Sequence, residues 1–161
     1  MSLILYTERC ILLPLSQEHI PALLPLFTSA EVRQYLGGAI SSEAAEEKLR
    51  LWMSQEHSRY WTVFLKKGIC IGLADLSPHH DPTKTELSYQ FHPTYWGQGY
   101  AYETLSAILK WCRGRYSSVV SETQEANIRS CRLLEKLGYR LIGRPERFGA
   151  IQRLYEKEIT V

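Results

Sequence analysis

The residues with the clearest chemical use are two glycines set one residue apart in Tyr95-Trp96-Gly97-Gln98-Gly99-Tyr100-Ala101-Tyr102-Glu103. They follow an alternating strand pattern and open a helical one, so backbone N–H groups converge at a helix start. Glycine permits a backbone path and a close approach that a side chain blocks, and a helix N-terminus adds about half a positive charge. The result is an anion cradle, and the ligand it suits most simply carries a pyrophosphate. Two nucleotide readings weaken. A triphosphate loop needs Lys and then Ser or Thr after its last glycine, where this chain has Tyr100 and Ala101. The dinucleotide fingerprint needs a third glycine, where this chain has Tyr102, and belongs in the first strand–helix unit rather than past mid-chain. An ordinary tight strand-to-helix turn remains the other reading of the same glycines.

The elements that must position this loop fit one domain. The chain has 161 residues, 45% apolar and 22% charged, which provides a sizeable core and excludes wholesale disorder. A net charge of +2 makes no case for nucleic acid as a partner. Cys10, Cys70, Cys112 and Cys131 lie far apart among apolar neighbours, so they read as buried free thiols in a reducing, cytoplasmic compartment rather than as zinc ligands or disulfides. The apolar run Leu3-Ile4-Leu5 has no basic residue before it and Glu8 just after, so neither a signal peptide nor a membrane span is expected. His79-His80-Asp81 has metal-binding residue types but no second ligand group at a suitable spacing; a solvated turn and no metal are expected.

Residues 9–15 read as a first strand closed by Pro14, with Ser16 as a helix cap. Pro21 and Pro25 make any helix over 17–27 short or kinked. A better helix runs from a Ser41 or Ser42 cap to about Glu56. The period then changes to two, predicting antiparallel strands over 60–66, 69–77 and 84–92. In the last of these Leu87, Tyr89 and Phe91 face the core, while Glu86, Ser88, Gln90 and His92 face solvent or a cleft. A helix over 101–113, a strand over 118–121, a helix over 127–137 ended by Gly138, and strands over 139–143 and 151–159 complete a mixed α/β sheet. An exposed edge among the closing strands would allow a homodimer.

Three segments resemble the GNAT superfamily of N-acetyltransferases, in its RimJ/RimL-type branch. Thr7-Glu8-Arg9-Cys10-Ile11-Leu12-Leu13-Pro14-Leu15 is similar to the branch's first strand, with Leu13 where Arg is usual. Glu86-Leu87-Ser88-Tyr89-Gln90-Phe91, followed by Trp96-Gly97-Gln98-Gly99-Tyr100-Ala101, resembles the strand and pyrophosphate loop; Trp96 stands at the loop's first position, where the superfamily usually has Gln or Arg and this branch commonly has Trp. Asn127, Ser130 and Leu133 through Tyr139 resemble the late helix, with Leu134 where many members carry a Tyr acid. The resemblance implies a mostly antiparallel twisted sheet, splayed at the cofactor site and flanked by helices. It also implies acetyl-CoA as co-substrate and an amine acceptor.

The resemblance then suggests roles. The N–H groups of Gln98, Gly99, Tyr100 and Ala101 would meet the pyrophosphate, with Trp96 and Gly97 completing the loop. The pantetheine arm would lie beside Gln90 and Phe91, with the Phe91 N–H aimed at the thioester oxygen. Glu86 is the first choice of base, since a protonated amine must lose a proton before it attacks. Glu122 is a second choice, and His92 a candidate relay. Ser130 lies where the branch places its acid, though helix serines often bond back to the preceding turn. Asn127 would bind a pantetheine carbonyl or simply cap the helix. Tyr35 with Gly37-Gly38 falls where the family shapes its acceptor pocket. The branch favours a protein N-terminal amine, a ribosomal protein among the candidates. Rival readings are a small-molecule acetyltransferase acting on a polyamine, amino acid, amino sugar or antibiotic, and a non-catalytic acetyl-CoA sensor.

Overall fold

The computed structural model describes residues 3–160. The alternating stretches become β3 (Arg59–Leu65), β4 (Cys70–Pro78) and β5 (Thr85–Phe91), an antiparallel meander. Before it come β1 (Leu5–Tyr6), β2 (Cys10–Pro14), α1 (Ile20–Thr28) and α2 (Ser42–Met53). After it come α3 (Tyr100–Trp111), β6 (Ser118–Gln124), α4 (Ile128–Lys136), β7 (Arg140–Gly143), β8 (Glu146–Arg147) and β9 (Ala150–Glu158). The sheet order is β1-β2-β3-β4-β5-β6-β9-β7, with β8 paired to β9 off this path. β7 therefore ends the sheet among the described residues, in line with an edge among the closing strands. The two-residue strands β1 and β8 were not expected from the sequence, because two residues cannot display a period.

Each face of the sheet is covered by two helices. Trp61, Val63, Leu76 and Leu87 pack with Leu105, Ile108 and Leu134 of α3 and α4. On the other face Leu73 packs with Leu23, Phe27 and Leu49 of α1 and α2. Pro21 sits in the first turn of α1, where its missing N–H costs no hydrogen bond, and Pro25 lies inside the helix, which stays short. Ser41 caps α2 by accepting from the Ala44 N–H, 3.1 Å away.

The sheet is not zipped throughout. β5 and β6 run parallel, and their register rests on the single pair Glu86 and Val120. One residue further, the Ser121 hydroxyl donates to the Leu87 carbonyl at 2.7 Å in place of a backbone bond. Beyond it the strands diverge. On its other side β5 is tightly held: a Cβ added at Gly72 would lie 2.6 Å from the Phe91 ring and 2.7 Å from the Gln90 carbonyl oxygen. Gly72→Ala must therefore push Phe91 into the gap. The expected outcome is a loss of about 1–3 kcal/mol in chemical denaturation, the usual range for overpacking. A weaker affinity for the CoA that the sequence resemblance implies should accompany it, read by calorimetry.

Candidate active site

A cavity of about 800 Å³ opens where β5 and β6 part, within the size range of small-molecule sites. Because the His92 N–H donates to the Ile71 carbonyl at 2.8 Å, the Phe91–Gly72 pair is the non-bonded kind in the antiparallel ladder. The Phe91 N–H and C=O thus point away from β4 and into the gap. The carbonyl is taken by the Trp96 indole N–H at 2.8 Å, which ties the glycine loop to the end of β5. The Phe91 N–H has no partner among the described residues.

Gly97 and Gly99 adopt left-handed backbone, φ 70° and 85°, and Gly99 is the N-cap of α3. A Cβ at Gly97 would meet no atom within 4 Å, so glycine is required there by φ and not by protein crowding. The first N–H of α3 with a backbone partner is that of Glu103, donating to the Gly99 carbonyl at 3.0 Å; those of residues 97–102 find none among the described residues. Arg9 fixes the loop from outside. It donates to the Gln98 carbonyl at 3.1 Å, lies 4.0 Å from the centre of the Tyr100 ring and pairs with Glu103 at 2.8 Å. Glu103 also accepts from Thr7 Oγ1 at 2.6 Å and the Arg9 N–H at 2.8 Å. Burial opposes ionisation of Glu103, but these bonds outweigh it and hold its pKa below the ordinary range.

Gln90, Phe91, Trp96, Gly97, Gly99, Tyr100, Ala101, Asn127 and Ser130 all line the cavity. Gln98 does not, and its side chain instead donates to the Thr94 carbonyl at 2.7 Å. Glu86 does not line it either. Its carboxylate accepts the Glu122 N–H at 3.1 Å at the point where the strands still pair, and burial raises its pKa. Asn127 caps α4, accepting the Ser130 N–H at 3.3 Å, so its side-chain oxygen already has a partner. His92 lies outside the lining.

Three groups were misplaced or missed by sequence reasoning. Tyr89 packs against the core with Leu87 and Phe91 as expected, but it also reaches the cavity, a role the sequence did not suggest, and its phenol meets Ser130 Oγ at 2.5 Å; burial pushes that phenol up to about 12. A hydroxyl next to Ser130 thus comes from a strand, while Leu134, one turn further along α4, is wholly buried. His79, expected in a solvated turn, is buried. Its Nδ1 accepts the Asp81 N–H at 3.0 Å, which leaves Nε2 protonated to donate to Glu122 Oε1 at 3.1 Å. Arg147 grips both oxygens of Glu122, through Nε at 2.9 Å and through Nη2. Glu122 lines the cavity as expected of a second-choice base, but this grip occupies it. Glu122 and Arg147, which converge on His79, lie 43 and 68 residues away, beyond any local pattern.

The cavity passes through the sheet. Tyr89 and Phe91 face α3 and α4, while Ser88 and Gln90 face the α1–α2 side, where Glu31, Gln34 and Tyr35 join them. Buried Arg33 holds that loop by donating to the Gly38 and Leu36 carbonyls at 2.6 and 2.7 Å. Gln90 Oε1 is a buried side-chain oxygen with no partner among the described residues, a signature of a site that expects a donor. Among those residues no three His, Cys, Asp or Glu side chains converge as a metal site, and no helix is long and apolar enough to cross a membrane.

A splayed mixed sheet with a glycine loop at a helix start, free N–H groups and an adjoining through-cavity defines an acyltransferase class of site. The chain belongs to the GNAT acetyltransferase family: residues 9–140 match the model of the acetyltransferase (GNAT) domain. Among curated protein sequences none matches. Among solved structures, a GNAT-family acetyltransferase from Bacillus anthracis is similar at 20% identity and TM-score 0.85, covering 97% of this chain and 98% of that one. A spermidine N-acetyltransferase from Vibrio cholerae, in complex with CoA and spermine, is similar at 16% identity and TM-score 0.82, covering 94% and 96%. An acetyltransferase from Salmonella typhimurium, which modifies the N-terminal serine of ribosomal protein L7/L12, is similar at 19% identity and TM-score 0.82, covering 97% and 99%. At these identities the likeness establishes the fold.

Behind Glu86 lies a further acid. Burial, reinforced by the charge of Glu86 and opposed by a 2.8 Å bond from Ser77, pushes Asp75 up to about 7. The folded state therefore holds the Asp75 proton more tightly than the unfolded chain. Its contribution favours folding at low pH and is lost as pH rises from about 4 to about 7. Asp75→Asn keeps an acceptor for Ser77 and removes this loss. It should raise stability at pH 8 by up to about 4 kcal/mol, the equivalent of the shift, and leave stability at pH 4 nearly unchanged in denaturant titrations.

Proposed function

We propose that this chain transfers the acetyl group of acetyl-CoA to a primary amine by direct attack in a ternary complex. The observation that carries the reading is the cavity between two sets of free backbone donors, the Phe91 N–H and the loop N–H groups of residues 97–102. The loop is suited to the pyrophosphate, and the open edge of β5 to the amides of the pantetheine arm. The acceptor would enter from the α1–α2 side, past Tyr35, with Gln90 Oε1 accepting from its amine.

In this mechanism the ammonium first loses a proton, and its neutral nitrogen forms a C–N bond at the thioester carbon. The Phe91 N–H stabilises the oxyanion of the tetrahedral intermediate. As the C–S bond breaks, Ser130 Oγ, backed by the Tyr89 phenol, supplies a proton to the departing thiolate and regains one through water from the attacking nitrogen, which must shed its second proton to become the amide. Glu86 serves as base through water, since its carboxylate stands outside the cavity lining. A protein N-terminal amine is the acceptor supported by likeness to the L7/L12-modifying enzyme. A small polyamine is the second reading, supported by likeness to the spermidine enzyme and by Glu31 and Glu122 in the lining.

The first test is thermal unfolding with acetyl-CoA, CoA and ATP, each about a hundredfold above a micromolar dissociation constant. Both CoA species should stabilise by about 2.7 kcal/mol, a rise of a few degrees, with little effect of ATP. No rise with any of the three sinks the reading. In acetylation assays with amine acceptors Glu86→Gln should slow turnover about 10–100-fold near neutral pH and less at high pH, where the amine deprotonates unaided. Because the Glu86 pKa is raised, wild-type turnover should fall as pH drops through that raised value. Equal turnover of both proteins at every pH removes Glu86 as base.

A further inference from the structure

The loop N–H groups answer a pyrophosphate, yet the mouth of the cavity carries more positive charge than that group requires. Arg129, Arg132 and Lys136 stand at i, i+3 and i+7 on α4, along one helical face, and all three line the cavity while exposed to solvent. None has a carboxylate within ion-pair distance among the described residues. Two are held by aromatic rings that flank the glycine loop. The Arg129 guanidinium lies 4.2 Å from the centre of the Trp96 indole, and Lys136 Nζ 4.4 Å from that of the Tyr102 ring. A ring orients a cation without neutralising it. The nearby acids are engaged elsewhere: Glu135 accepts from the Tyr155 hydroxyl at 2.8 Å, and Glu103 is held by Thr7 and Arg9. Three uncompensated cations therefore face one opening. They extend over about 10 Å of helix, further than a pyrophosphate on the loop reaches.

Taking the acetyl-CoA reading above as its basis, we propose that the α4 ridge of Arg129, Arg132 and Lys136 binds the 3′-phosphate of CoA and makes the protein select CoA over its 3′-dephospho form. A phosphate monoester carries about 1.5–2 negative charges near neutral pH, and paired guanidinium and ammonium donors give it charge-assisted hydrogen bonds. A separate hollow, whose lining includes Lys110, Arg113 and Lys157, shares only Tyr102 with the cavity. It serves as the internal control.

The test compares CoA and 3′-dephospho-CoA by calorimetry in low salt, using wild type, Arg132→Ala/Lys136→Ala and Lys110→Ala/Lys157→Ala. Wild type should bind CoA at least about tenfold more tightly, the equivalent of one charge-assisted pair. The α4 double variant should bring that preference below about threefold by losing affinity for CoA alone, and Arg132→Lys/Lys136→Arg should restore most of it. The control variant should keep the wild-type preference. Arg132, Lys136 and Lys110 are exposed and Lys157 is half-buried, and thermal unfolding of each unliganded variant reports whether it is folded. Equal wild-type affinity for both ligands overturns the subsite and leaves the acetyl-CoA reading standing. A preference that survives the α4 variant, or vanishes in the control, also overturns it. Failure of wild type to bind either ligand overturns both.

Discussion

The rest of the structure depends on where the pairing of β5 with β6 stops. A parallel pair would ordinarily continue its ladder, and each buried N–H left unpaired costs about 1–3 kcal/mol. Here one backbone register and one serine hydroxyl close the ladder, and the remaining edge of β5 is left to a cavity. The glycine loop follows from the same event, because the chain leaving β5 must turn sharply into α3 beside the opening. Trp96 fixes that turn with a bond to the last carbonyl of β5. The donors that face a ligand are main-chain groups set by topology, which makes this end of the site insensitive to most side-chain changes.

Charge is divided along the cavity. Cations on α4 occupy the loop end, whereas Glu31 and Glu122 lie toward the other. At that second end the carboxylates differ sharply in environment. Glu122 is locked by Arg147 and His79, while at Glu86 and Asp75, which no arginine pairs with, desolvation prevails and favours the neutral form. A carboxyl whose proton is held more tightly than usual is better suited to exchange it during a reaction, so the desolvation that makes these acids costly also makes them useful.

Much of the fold was legible because its signals are periodic. The alternation from residue 60 to 92 gave three strands, and Gly97, Gly99 and Asn127 marked the starts of two helices that the structure places within a residue or two. What escaped depended on partners distant in sequence. His79 looked solvated until Glu122 and Arg147 were brought over it, and Tyr89, a core-face residue as read, gave no sign that its hydroxyl would meet Ser130 in particular. A tyrosine on a core face does carry a hint, since a buried phenol needs a partner. Glu86 shows what one strand leaves open: which atoms stand between its face and the cavity is set by β6, not by β5.

The tie between Arg9 and Glu103 spans 94 residues, yet it shapes the loop that begins the helix of Glu103 itself. Contacts of such separation form only after a large loop-closure entropy has been met, and they slow folding relative to local ones. On a growing chain synthesised from the N-terminus, the Thr7–Arg9 segment waits unpaired until residue 103 has emerged. The strand meander between them can assemble first, while the ligand-facing turn takes its final shape late. Ligand competence is thus coupled to completion of the fold and not to formation of the loop's own residues.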